Sequence, residues 1–191
     1  MDFVYESENF LTKEYCDHLI KKVKSEGNAV KGMTAGGFQP HIKLNDDVCL
    51  VHDQILWKSE LDFMQDKSKE ALNKYKKHLI DNKLYNQVES NHFFNGVRIN
   101  APQVQISRTD GFYRWHMDSA LNGCRRIMAY IIYLNDMDEG SGGSTDFLGK
   151  SVKPKAGKLL MFPTTWTYLH RGKKVEKGTK YILAGFMYKD D

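Results

Sequence analysis

The sequence predicts an α+β fold, with helices leading a run of short β-strands, and three observations carry that expectation. Apolar residues recur at three- and four-residue steps in two stretches of the first half, the pattern of amphipathic helices. From about residue 97 the pattern changes to short β-type runs divided by Gly, Asn and Asp, as in a sandwich, jelly roll or barrel. Helices placed ahead of such strands cover one face of a sheet.

Phe3-Val4-Tyr5 reads as a short strand. Thr12 is placed to N-cap the first helix, with Glu14 and Asp17 near its positive end. Tyr15, Cys16, Leu19, Ile20 and Val23 form its apolar stripe, and Gly27 ends it. Residues 32–45 read as a loop, and 48–51 as a short strand or part of a turn. A second helix is expected over 59–83, with Leu61, Met64, Ser68, Leu72, Tyr75 and Leu79 on one face. Lys74, Lys76 and Lys77 read as its solvated face, and no aromatic residues interleave with them as in a nucleic-acid groove. Asn82 and Asn86 mark its exit. Strands are expected at 97–99, 104–108, 112–117, 127–134, 144–148, 158–162, 167–170 and 181–188. The whole is one domain, residues 1–191, in which 1–93 form a helical and loop support and 94–191 a β core.

The totals set limits. Apolar residues make up 41% and charged residues 27%, ordinary for a soluble globular protein. A net charge of +4 suits an acidic small molecule and is too mild to argue for nucleic acid. Cys16, Cys49 and Cys124 are odd in number and widely spaced, so three free thiols in a reducing compartment are expected. The opening MDFVYESENF does not read as a signal peptide, and no run approaches the length of a membrane helix. A cytoplasmic protein is the expectation.

The stretch richest in chemistry is Tyr113-Arg-Trp-His116-Met-Asp118. Residues i and i+2 of a strand share a face about 6.5 Å apart, so His116 and Asp118 can close on one ion. His170, after Trp166-Thr-Tyr-Leu, is a candidate third ligand; three such donors form the 2-His-1-carboxylate set of non-haem Fe(II) oxygenases. Each residue also has a plain reading: an exposed His beside an unrelated Asp, and a strand-end His bonded to a carbonyl. Lys180 opens the last apolar run, where a buried ammonium calls for a carboxylate. It also follows Lys173, Lys174 and Lys177, as a residue of a solvated basic turn would. Tyr133 lies in an apolar strand, and its hydroxyl needs a partner if buried.

Together these pieces carry a resemblance. Tyr113-x-x-His116-x-Asp118, Tyr133-Leu-Asn135, Gly142-Gly143-x-Thr145-x-Phe147, Pro154-x-x-Gly157-x-Leu-x-x-Phe162, His170-Arg-Gly172 and Gly178-x-Lys180-Tyr181 occur in the order found in 2-oxoglutarate- and Fe(II)-dependent dioxygenases. Over residues 97–188 the chain resembles the prolyl 4-hydroxylase-like branch, and Asn9 to Ile20 is similar to that branch's leading helix. The resemblance implies a double-stranded β-helix (jelly-roll) core with the N-terminal helices packed on one sheet. It implies His116, Asp118 and His170 as iron ligands, and Lys180 as the partner of the distal carboxylate of 2-oxoglutarate. Tyr133, Tyr113 and Thr179 stand near that cosubstrate by position. The family usually has a Tyr ahead of the glycine before the HxD strand. Here Ser107-Arg108-Thr109-Asp110-Gly111 lacks one, leaving Arg108 or Thr109 to fill in.

The reaction implied is hydroxylation of an unactivated C–H, with O2 consumed, 2-oxoglutarate decarboxylated to succinate, and ascorbate as reductant. A prolyl residue in a peptide or protein is the substrate the branch points to. Trp115, Trp166 and Tyr168 flank the ligands, and Arg125 and Arg126 follow the Asn122-Gly123 turn; these are the candidate substrate contacts. The alternatives are the same fold acting on a free amino acid, another side chain or a nucleobase, a non-catalytic jelly-roll binding module, and a zinc hydrolase.

Overall fold

The structure, a computed structural model, describes residues 3–119 and 126–189. Helix α1 (Lys13–Glu26) starts where the Thr12 hydroxyl accepts the Tyr15 amide, and ends at Gly27. It buries Cys16, Leu19 and Val23, with Tyr15 and Ile20 at the margin of the same cluster. Helix α2 (Lys58–Asp81) buries Met64, Ser68, Ala71, Tyr75 and Leu79. Its lysines face water, where Lys74 pairs with Glu70 and Lys77 with Asp81.

Among the described residues, thirteen strands make two sheets. In chain order they are β1 (Tyr5–Ser7), β2 (Val30–Lys31), β3 (Lys43–Leu44), β4 (Asp46–Cys49), β5 (Arg98–Ile99), β6 (Gln103–Arg108), β7 (Phe112–His116), β8 (Arg126–Tyr133), β9 (Thr145–Phe147), β10 (Lys150–Val152), β11 (Leu159–Pro163), β12 (His170–Gly172) and β13 (Thr179–Tyr188). The larger sheet runs β1-β11-β8-β13-β6-β4-β2, with β5 beside β13; the smaller runs β10-β9-β12-β7-β3. All the pairings are antiparallel.

Alternation along the central strands divides the core into two layers. Met128, Tyr130 and Ile132 of β8, Leu159 and Met161 of β11, and Leu183 and Met187 of β13 pack against α1 and α2. The intervening Ala129, Ile131, Tyr133, Leu160, Phe162 and Ile182 face the smaller sheet, where Phe147 and Val152 meet them. This is the expected α+β jelly roll with helices on one sheet.

Several elements differ from expectation. The first strand lies two residues later, at Tyr5–Ser7, and pairs with β11. A short helix, α3 (Gln87–Phe94), follows α2; Asn86 and Glu89 close a capping box that the sequence displays as Asn-x-x-Glu. The strand expected over 167–170 is instead a 3-10 turn at Trp166–Tyr168, closed by the Tyr168 amide on the Thr165 carbonyl, with β12 beginning at His170. The turn follows from topology: after β11 the chain must cross from one sheet to the other. Residues 1–93 are more than support, because β1, β2 and β4 join the larger sheet and β3 the smaller. Among the described residues, no helix is long and apolar enough to cross a membrane, and Cys16 and Cys49 are free thiols. Cys124 lies outside them.

Candidate metal centre and adjoining chamber

Strand register assembles the centre. His170 on β12 lies directly across from His116 on β7 and, on its other side, from Phe147 on β9. Asp118 sits just past the end of β7, where the Ser119 amide is held by the Thr164 carbonyl. The ligand atoms of His116, Asp118 and His170 all lie within 4.8 Å of one another. His116 Nε2 is 3.6 Å from one Asp118 oxygen, and His170 Nε2 is 3.4 Å from the other. Octahedral bonds of about 2.1 Å put adjacent donors about 3 Å apart, so small rotations close this set on one divalent ion.

Both imidazoles are aimed from behind. His116 Nδ1 lies 2.7 Å from the Arg114 carbonyl, and His170 Nδ1 lies 3.1 Å from the Tyr168 carbonyl. A carbonyl can only accept, so Nδ1 carries the proton in each ring and Nε2 is left with its lone pair toward the centre. Burial, reinforced by His170 and Lys43, lowers the His116 pKa to about 4, against the opposing pull of Asp118 and the Arg114 carbonyl. The ring is therefore neutral at physiological pH, the form that binds metal. Burial pushes the Asp118 carboxyl up, but the surrounding His170, His116 and Arg126 side chains outweigh it and leave the pKa below its ordinary value. Two imidazoles and one carboxylate fit a divalent cation.

Behind the centre lies Lys180. It shares the inward parity of Ile182 on β13 and is only 5% exposed. Its Nζ donates to the Gly143 carbonyl at 2.9 Å, its one hydrogen-bond partner among the described residues. Burial drops its pKa to about 8, while the Asp146 charge acts the other way. An ammonium has three donors, so this one retains capacity for a carboxylate.

Tyr113 faces the same space, contrary to simple alternation. Between His170 and Gly172 the register on β7 advances from His116 to Tyr113, three residues against two. This bulge turns Tyr113 to the His116 side, where the rings stack with centroids 3.5 Å apart. Burial, together with the charges of Asp118 and Asp47, raises the Tyr113 pKa to about 12, so the phenol stays protonated. The fully buried Tyr133 hydroxyl is 2.6 Å from Thr145 Oγ1, and Thr145 pairs with Gly172.

The remaining candidates divide. Thr179 has the parity opposite to Lys180 and so lies on the other face of β13. Trp115 is 42% exposed and stacks outside the smaller sheet against the Arg171 guanidinium, away from the centre. Trp166 is 74% exposed on the turn leading to His170, and Tyr168 is half-buried there. Arg126 reaches the Asp118 carbonyl at 3.4 Å and covers the Phe186 ring. Arg125 lies outside the described residues. Arg108 pairs with Asp46 and Thr109 is exposed, so neither fills the place of the missing Tyr.

Sequence reasoning overlooked Lys43. It is 4% exposed, bonded to Asp47 at 2.9 Å, and over the Tyr113 ring at 5.6 Å. Strand β3 is only two residues long, too short to show a pattern, so nothing in the sequence marked this lysine.

Comparison with known proteins adds relatives. The sequence model of the 2OG-Fe(II) oxygenase superfamily matches residues 102–188. The 2-oxoglutarate and iron-dependent oxygenase domain-containing protein 3 of Homo sapiens is 28% identical over 91 residues, which span 46% of this chain and 28% of that protein. Its Rattus norvegicus counterpart is 30% identical over 92 residues, 46% of this chain and 29% of that protein. The matched stretch is thus under a third of either relative. Among solved structures, the Pseudomonas putida prolyl-4-hydroxylase superposes with a TM-score of 0.70 at 17% identity, covering 97% of this chain and 92% of that one. The viral collagen prolyl hydroxylase of Paramecium Bursaria Chlorella virus-1 gives 0.68 at 21% identity, covering 100% and 97%.

Proposed function

We propose, from the premise that residues 102–188 of this chain belong to the 2OG-Fe(II) oxygenase superfamily, that the protein is a 2-oxoglutarate- and Fe(II)-dependent dioxygenase hydroxylating a prolyl residue in a peptide or protein. The observation that carries the oxygenase reading is the pairing of the His116/Asp118/His170 centre with a buried lysine amine on the facing sheet. A module that only bound metal would have no use for an ammonium beside it, and the burial of Lys180 is costly without an anionic partner.

When bound by these three side chains, Fe(II) would supply oxygen activation coupled to decarboxylation of 2-oxoglutarate to succinate and CO2, with ascorbate keeping the metal ferrous. The chain supplies position and exclusion. His116 and His170 turn Nε2 toward the centre, because their Nδ1 atoms are already bonded to backbone carbonyls. Lys180 holds the distal carboxylate as a compact point charge. The buried Tyr133 hydroxyl bonds to Thr145 Oγ1, in the strand row shared with Gly172. Phe147 and Phe162 pack against the His170 ring and keep water from its back.

A groove of about 900 Å³ supports a polypeptide substrate. Phe3, Tyr85 and Phe93 line one side; Arg126, Phe147 and Tyr168 line the other, and it reaches Leu169 beside His170. Aromatic walls of this kind recognise proline-containing chains. The two prolyl hydroxylase structures of like fold point the same way.

The test is to incubate the protein with Fe(II), ascorbate and 2-oxoglutarate, with and without proline-containing peptides, and to measure succinate and the mass gained by the peptide. Peptide-stimulated succinate and one added oxygen are expected, and Asp118→Ala should lose both iron and turnover. Absence of succinate under every condition returns the chain to the binding-module alternative; succinate without peptide oxidation returns it to another substrate.

A further inference from the structure

Arg126 stands at the join between the candidate metal centre and the aromatic groove. It is half-buried, its Nη1 lies 3.4 Å from the Asp118 backbone carbonyl, and its side chain lines the groove. Nε lies 3.4 Å from the Tyr188 hydroxyl, and the guanidinium carbon is 3.9 Å over the Phe186 ring. Both hydrogen bonds are long, and both acceptors are neutral. Among the described residues no carboxylate lies within ion-pair reach of this guanidinium, because the two Asp118 oxygens face His116 and His170 instead. A cation drawn partly out of water with no counter-charge is costly. Its planar fork of donors matches a carboxylate, and stacking on Phe186 limits how that fork can turn.

The groove has the same imbalance. Among the described residues that line it, none is acidic and two are cationic, Arg126 and Lys150. Lys150 is met by Glu6 at 3.1 Å. Arg126 is the one left to a ligand, and its place says where the anion sits. Phe147 lines the groove and packs on the His170 ring, and Arg126 touches both the groove and the Asp118 backbone. A chain with one residue at the centre therefore meets Arg126 as it enters the groove toward Tyr85 and Phe93. The carboxylate is then that of a side chain, since a chain ending at Arg126 would leave the groove empty. An extended chain advances about 3.3 Å per residue, so the acid lies within about two residues of the one oxidised.

We propose that the substrate is an acidic polypeptide segment, in which an Asp or Glu side chain within about two residues of the oxidised position is held by Arg126. This deepens the proposed function and rests on its placing of a polypeptide in the groove.

The experiment reads binding and turnover separately. Dye-labelled peptides carry one proline in an alanine background, with Glu, Gln or Lys at each of the two positions on either side of it. They are titrated by fluorescence anisotropy into the protein loaded with Mn(II), then offered to the Fe(II) enzyme with 2-oxoglutarate. At one position or more, Glu should bind about tenfold more tightly than Gln, as a close charge pair implies, and Lys more weakly than either. Added salt should narrow the gap between Glu and Gln. Arg126→Gln should level the two peptides, Arg126→Lys should restore part of the gap, and Lys150→Gln should leave it in place. Equal affinities at every position, absence of binding by every peptide, or a Glu preference that survives Arg126→Gln would overturn the proposal. If Arg126→Gln loses its fold or its Mn(II), the wild-type ranking and its salt dependence decide. Turnover without a charge ranking removes this inference and leaves the dioxygenase reading standing; a charge ranking without turnover does the reverse.

Discussion

Lys180 shows how much one side chain can say. Its aliphatic stem is shared with any core residue, and among the described residues its amine has one hydrogen-bond partner, the Gly143 carbonyl. Burial draws its pKa to about 8, with Asp146 opposing, and a carboxylate needs the protonated form. Affinity for 2-oxoglutarate should therefore be full below pH 8 and fall as pH rises through it, a dependence measurable by titration with Mn(II) present. Lys180→Ala should retain the metal and weaken 2-oxoglutarate at least about 30-fold, since losing one member of a buried charge pair costs about 2 kcal/mol or more. An unchanged dissociation constant would break the cosubstrate assignment. The sequence offered this residue in two readings, buried partner or member of the Lys173, Lys174, Lys177 turn, and strand parity decides for burial. The same parity sends Thr179 away. Tyr113 could not be placed by parity at all, because the bulge in β7 adds one residue that no local pattern announces.

At the scale of elements, the join between the two long helices is electrostatic as well as apolar. Glu60, in the first turn of α2, accepts from Lys22 at 2.9 Å and meets His18 at 3.2 Å, both on α1. Burial of the Glu60 carboxyl works against ionisation, but these partners outweigh it and bring its pKa from 4.5 to about 2. A folded value below the unfolded one gives stability that is present above about pH 4.5 and lost as pH falls toward 2, of order 3 kcal/mol in total. Glu60→Gln should flatten that part of the acid-unfolding profile followed by circular dichroism; a profile identical to wild type would show the cluster to be inert. How far such elements could be read depended on the length of their pattern. Helix α1 was legible from Thr12 to Gly27, and β8 from its apolar run. Helix α3 spans one capping box and little periodicity, and the two-residue strands β2, β3 and β5 lie below any pattern's reach. The turn at Trp166–Tyr168 carries aromatic and β-branched residues that suit a strand, and only the crossing between sheets requires it to curl.

Across the whole molecule, the His116/Asp118/His170 cluster and the aromatic groove meet at Phe147, which lines the groove and packs on the His170 ring. Phe3 of the N-terminal segment and Phe93 and Phe94 of α3 line that groove, so the region expected to be support also lines the surface proposed for the substrate. Phe93→Ser, whose ring packs on Tyr85 and Phe94, should raise KM for a proline-containing peptide about tenfold, in line with loss of one aromatic anchor, and leave 2-oxoglutarate affinity intact. Steady-state kinetics with both substrates varied would check this, and a rise in both KM values would refute the division. Strand β13 ties the two halves together, with odd-numbered residues serving the helices and even-numbered ones the chamber. Its phase is thus a shared commitment. Inserting or deleting one residue in the loop before it would either unseat Leu183 and Met187 or aim a threonine or tyrosine where the amine belongs, so mutation along this strand has little freedom to retune chemistry while sparing the scaffold.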